Sequence, residues 1–250
     1  MEVHHHAHTE RKKWTHYFWE FLMLFLAVFC GFLAENQREH MVEHQREKQY
    51  MHSLLNDLKK DTTNFNGVIT SYTNSIKGMD TLIGLLKSPE RNKYTGDIYY
   101  FAKEVVFYKP FNTLDKTYEQ MKSSGNLRLV HDTNLLDSLS NYYYDFNYIE
   151  KHGPGQMELE VRHDLFACYN KLFDASVFQK MISSPDSITI INRPVGNLPL
   201  LTNEPAVINE LCMRVHNMSF VRRVGINQAR RHITWATDLI KKIEEEYHLK

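Results

Sequence analysis

Fourteen histidines and 30 acidic side chains give this chain of 250 residues ample material for acid–base or metal chemistry. Their spacing argues against it. His40 and His44 stand four residues apart, as a chelating pair on a helix does, but no acids or cysteines are arranged to complete a tetrahedral set. His131-Asp132 and His163-Asp164 are sequence neighbours, and adjacent residues on a helix point apart. Glu160 with His163, and Asp164 with Cys168, fall at helical spacing, where surface ion pairs or helix-face contacts explain them as well. No GxSxG, HExxH, P-loop or dinucleotide-binding pattern occurs. The sequence therefore predicts no catalytic residue, no metal and no cofactor. A hydrolase built on a histidine and a carboxylate is the weakest of its readings. His4, His5, His6 and His8, interrupted by Ala7, read as part of a flexible polar tail.

Binding chemistry has other places to reside. Tyrosines and phenylalanines crowd the stretches 94–118 and 142–148, where they can line a groove for a peptide, glycan or lipid headgroup, or pack between short helices. KSSGNL (122–127) offers backbone N–H groups to an anion, although a glycine closing a helix explains it more simply. Cys30, Cys168 and Cys212 show no CxxC or zinc spacing. Cys168 and Cys212 read as two separate buried thiols, with a disulfide open to them only outside the cytoplasm. Thirty basic residues balance 30 acidic ones, so charge gives no reason to expect nucleic acid as a partner.

The elements that carry these residues begin with an apolar run, Phe21–Ala34, flanked by Trp14, Tyr17, Phe18 and Trp19. Such an aromatic collar sits at headgroup level. From Tyr17 to Ala34 the run is about 18 residues, roughly 27 Å of helix, enough to cross a thin bilayer. Arg11, Lys12 and Lys13 precede it and Glu35, Arg38 and Glu39 follow, so the positive-inside rule puts the N-terminus in the cytoplasm and the remainder across the membrane. Cleavage after Ala34 would place Phe32 at −3, and cleavage before Cys30 would place Phe29 at −1, where small residues are required. The pattern predicts an uncleaved signal anchor. At about 100° per residue, Glu20, Leu24, Ala27, Gly31 and Ala34 fall on one stripe. Ala27 and Gly31 form a small-xxx-small pair, so Glu20, Ala27, Gly31 and Ala34 read as a helix-packing face. Glu20 alone can also snorkel to the headgroups.

Beyond Asn36 the charged helix continues, with Met41, Met51, Leu55 and Leu58 on one face and Phe65, Ile69, Tyr72, Ile76, Met79, Ile83 and Leu86 carrying the stripe to Pro89. Shorter helices follow. One carries Ile98, Phe101, Val105 and Tyr108; one is capped by Thr113 and stopped by Gly125; one starts at Asp132 or Thr133 and ends at Gly153-Pro154-Gly155; and QMELEVRHDLFACYNKLFD forms the next. SITIIN (187–192) reads as a strand, too short alone to make a sheet. A last helix of some 40 residues starts near Pro205, and Arg222 and Gly225 interrupt its apolar face, predicting a kink near 217–225. Two very long amphipathic helices predict an antiparallel pair. The fold class is all-α: an N-terminal transmembrane helix continuing into a long stalk helix, with an antiparallel helical bundle.

The basic N-terminus, the single span with a glutamate near its start and the stretch TYEQMKSSGNLRLVHDTNLLDSLSNYYYDF (117–146) resemble a Bacteroidota family of uncharacterised single-pass inner-membrane proteins with a long periplasmic helical region. Where members open the span with Gly-Glu and close it near Asn-Trp-Asn, this chain has Trp19-Glu20 and ENQRE. The resemblance implies a Gram-negative inner membrane and a periplasmic domain; it implies no activity. The domains expected are a cytoplasmic tail (1–13), a transmembrane signal-anchor helix (14–35), a stalk helix (36–87) and a periplasmic helical domain (88–250) packed with the stalk. The function expected is a non-enzymatic interaction or scaffold subunit of an envelope complex, partnered by the membrane, by a second copy or by another membrane or envelope protein. The alternative is a periplasmic ligand-binding sensor signalling through a membrane partner. A tyrosine-lined pocket with one or two convergent polar groups would favour the sensor, and a solid core with an exposed apolar patch would favour the scaffold.

Overall fold

A computed structural model describes residues 14–107, 109–183, 190–196 and 198–249. The expectations for the tail 1–13, for Tyr108 and for residues 187–189 of the strand lie outside the described residues. The protein is all-α. Its helices are α1 (Trp14–Lys87), α2 (Thr95–Val105), α3 (Lys116–Ser123), α4 (Thr133–His152), α5 (Pro154–Leu172), α6 (Ala175–Met181) and α7 (Pro205–Tyr247). The chain divides into two compact units, Met1–Gln49 and Tyr50–Lys250.

In the second unit, α1 buries the stripe that its periodicity requires. Met51, Leu54, Leu58, Phe65, Met79, Leu82 and Leu86 are completely covered. The helix stops at Lys87, just ahead of Ser88-Pro89, where a continued helix would meet the proline ring. Pro205 opens α7 at a first-turn position, where a missing N–H breaks no bond. The two long helices run antiparallel: Lys59 Nζ lies 2.7 Å from Glu244 Oε1, and, some 20 residues further along α1, Asp80 Oδ2 lies 3.9 Å from Arg223 Nη2.

Three apolar clusters fill the bundle along this pair. One joins the Met51–Leu58 turns of α1 to Tyr118, Tyr142, Tyr143 and the end of α7. The middle one gathers Phe65, Phe111, Phe146 and Ala229. The third joins Met79–Leu86 to α2, the second half of α5 and the first half of α7. Burying a single such side chain is worth about 1.5–3 kcal/mol, so these clusters account for the cohesion of the unit.

Local signals explain most boundaries. Asp132 caps α4, its Oδ1 accepting from the Asn134 and Leu135 amides at 2.8 and 3.2 Å. Gly125, at φ 71°, closes α3 in the left-handed conformation that glycine adopts without a Cβ penalty. Three expectations change. Asp115, not Thr113, occupies the N-cap position of α3. The buried face of α2 is Ile98, Tyr99, Ala102 and Val105, with Phe101 only half-buried. Ile190–Ile191, the described end of the expected strand, finds a partner in Ile182–Ser183, making a two-stranded antiparallel ribbon directly after α6.

Candidate functional site

The stripe singled out by sequence lies on α1. Glu20, Ala27, Gly31 and Ala34 are all exposed, and a Cβ added at Gly31 would meet nothing within 4 Å. Around them Phe21, Leu24, Phe25, Val28 and Phe32 are exposed as well, each more than half. Near the start of the run His16 Nε2 lies 2.9 Å from Glu20 Oε1, an i,i+4 contact that places the acid beside a nitrogen donor one turn away. The apolar window that contains this run is long enough to cross a membrane, and none of it is buried.

The second unit holds a charged centre that periodicity alone misreads. Arg222 occupies a core register of α7 and is fully buried, as is Glu158 of α5. Its Nη2 donates to Glu158 Oε1 at 2.7 Å and to the Val105 and Phe107 carbonyls at 2.8 Å each. Its Nη1 donates to Ser75 Oγ, and its Nε to Glu158 Oε1 at 3.3 Å. Tyr72 of α1 donates its hydroxyl to the other Glu158 oxygen at 3.0 Å, and Arg162 reaches Oε1 at 3.2 Å. One guanidinium thus joins α1, α5, α7 and the end of α2. Both charges are sealed and saturated with partners, which suits them to fixing the packing rather than to exchanging protons with a ligand.

The predicted kink region is helical throughout, because α7 runs unbroken from Pro205 to Tyr247. Gly225 allows a close approach within it. A Cβ there would stand 2.7 Å from Tyr72 Cε2, on the ring that also holds Glu158.

A smaller polar cluster surrounds Asp61 of α1, which is buried and accepts from the Leu114 amide at 2.8 Å and the Tyr142 hydroxyl at 3.0 Å. Burial pushes its pKa up to about 6, against both hydrogen bonds, which act to lower it. One turn earlier Asp57 accepts from Thr117 Oγ1 at 2.5 Å, so the two acids tie the segment entering α3 to α1. His232 of α7 is fully buried among Phe65, Phe111, Tyr142 and Phe146; burial lowers its pKa, and its Nδ1 lies 3.0 Å from the Gln228 carbonyl.

The crowded aromatics are mostly core. Tyr72, Tyr99, Tyr142 and Tyr143 are covered to within 2%, Tyr118 stacks on Tyr143 at 4.4 Å, and Tyr144 and Tyr148 face solvent. Among the described residues, no group of three His, Cys, Asp or Glu side chains converges to hold a metal ion, and His44 lies beside Glu47 at 3.4 Å. Asp164 pairs with Arg214 at 2.5 Å, and Cys168 and Cys212 are free, buried thiols. Comparison of the chain with family models, with curated proteins and with solved structures finds no match.

Proposed function

We propose that this protein is a single-pass membrane protein whose helical domain is a non-enzymatic interaction or scaffold subunit of an envelope complex. In this reading it resides in the inner membrane of a Gram-negative bacterium, with its N-terminus cytoplasmic and its C-terminal domain periplasmic. The observation that carries the proposal is the uncovered apolar window of α1. The core helix of a soluble protein has the same composition but is covered by its own chain. Here Phe21, Leu24, Phe25, Val28 and Phe32 stand exposed, and each such side chain gains about 1.5–3 kcal/mol on leaving water. Lipid supplies that cover on every side of the helix at once. Arg11, Lys12 and Lys13 favour a cytoplasmic start, and bulky Phe29 and Phe32 disfavour cleavage. The stripe Glu20, Ala27, Gly31, Ala34 is the face for a second copy or another membrane protein. Burial of the tyrosines in a solid core supports the scaffold over the ligand-binding sensor. A reporter fused after Lys250 tests the topology: activity confined to the periplasm is expected, and cytoplasmic activity overturns it.

A further inference from the structure

We propose that the groove between α1 and α7 docks an α-helical segment of a partner protein that presents acidic side chains. The inference rests on the interaction-subunit reading and names its surface. A cavity of about 530 Å³ opens between the two helices. From α1 it is lined by Thr73, Ile76, Lys77 and Asp80. From α7 it is lined by Arg223, Ile226, Asn227 and Arg230. Each set repeats the i, i+3, i+4, i+7 spacing of a single helix face, so two antiparallel stripes border one slot. Each stripe is about 10.5 Å long at 1.5 Å per residue, or two turns, and a third helix lying in the slot presents side chains at the same interval.

Charge specifies the occupant. Three cations and one acid line the slot. Lys77 and Arg230 are exposed, and their side chains have no hydrogen-bond or ion-pair partner among the described residues. Among the described residues Arg223 pairs only with Asp80, at 3.9 Å, with both side chains more than half exposed. Ile76 and Ile226, 7% and 8% exposed, form an apolar floor. A helix that sets carboxylates over the cations and an apolar side chain on the floor satisfies both demands. A single small anion fits less well, because both walls are mid-helix and their backbone N–H groups are already engaged. The surface also continues beyond the cations. Phe220 and Met213 of α7 are 57% and 52% exposed, and a Cβ added at Gly84 of α1 would meet nothing within 4 Å.

The test uses the full-length chain in detergent micelles and a synthetic peptide of about 18 residues, long enough to hold a helix, made of Ala, Leu and Glu with glutamates four residues apart beside a leucine stripe. A matched peptide carries lysine at each glutamate. Fluorescence anisotropy is expected to show binding of the glutamate peptide only. Lys77→Glu combined with Arg230→Glu is expected to weaken it at least tenfold and to create binding of the lysine peptide. Circular dichroism checks the fold, and Lys77→Ala with Arg230→Ala moves the affinity in the same direction should the reversal disturb it. No binding up to about 1 mM peptide, equal binding of both peptides, or indifference to both variants overturns the proposal. Displacement by equimolar inorganic phosphate overturns it in favour of a small-anion site. A chain that assembles with an envelope partner yet ignores the peptides loses the groove and keeps the scaffold reading.

Discussion

Residues 21–34 and residues 51–86 belong to one helix, and both are rich in large apolar side chains. In the first stretch these side chains go all the way round, and the structure leaves them exposed: Phe21, Leu24, Phe25, Val28, Phe29 and Phe32. In the second they form a stripe, covered by the helices that follow, while Lys60, Lys77 and Asp80 face solvent. A stripe can be satisfied by neighbouring helices. An all-round apolar surface needs a medium that is apolar on every side. Their polar groups differ in the same way. Glu20 sits exposed beside His16, whereas Glu158 and Arg222 are sealed together in the core. On the proposed reading one helix serves two solvents, and its apolar pattern changes from all-round to a stripe between the two stretches.

Breaking the sealed side of that contrast should have the largest effect. Glu158→Ala strands the Arg222 charge and the Tyr72 hydroxyl, and the full chain is expected to lose about 3–5 kcal/mol in denaturant unfolding. A loss below about 1 kcal/mol, the size of an ordinary surface change, would show that water reaches this centre.

Asp61→Ala is expected to cost about 1–3 kcal/mol by leaving the Leu114 amide and Tyr142 hydroxyl without their acceptor. The same residue sets a pH dependence. Its folded pKa of about 6 exceeds that of an unfolded aspartate, about 4, so the folded state binds the proton more tightly. Its contribution is fully present below about pH 4, declines as pH rises to about 6 and stays low above. Asp61→Asn is expected to flatten that decline, and an unchanged stability profile would contradict it.

Gly225→Ala drives a methyl group toward Tyr72 Cε2 and is expected to cost about 1–3 kcal/mol. Gly31→Leu, on the exposed side of the contrast, meets open space. It should leave unfolding of the helical domain within about 0.5 kcal/mol of wild type. It should nevertheless weaken association of residues 10–40 in a membrane assay, and Glu20→Leu should weaken it by about 0.5–2 kcal/mol if the acid is bonded within the interface. Indifference to both substitutions would mean that the stripe is chance composition.

Periodicity made the helix pair legible. Leu58, Phe65, Tyr72, Met79 and Leu86 are separated by seven residues at each step, and α7 answers with Leu211, Val215, Met218 and Ile226 in the covered register. The Pro89 stop, the Pro205 start and the Asp132 cap were legible for the same reason, since each depends on its own few neighbours. The charged centre was not. Arg222 in a core register looks like a break in the stripe, because its partners Glu158, Val105 and Phe107 come from 64 to 117 residues away. Nor was the role of Gly225, whose lack of a side chain makes room for Tyr72 on another helix. The ribbon partner Ile182–Ser183 is two residues long, too short for an alternating pattern. The groove cations carry no sequence signal either, since Lys77 and Arg230 come together only where two helices some 150 residues apart in sequence lie side by side.

On the proposed reading the uncovered run of α1 lies in lipid. Alkaline extraction of membranes carrying the full chain, followed by intact-mass measurement of the pelleted protein, tests it directly. The chain is expected to stay in the pellet with residues 1–35 still attached. Release into the supernatant, or a mature chain beginning near residue 30 or 35, would contradict it.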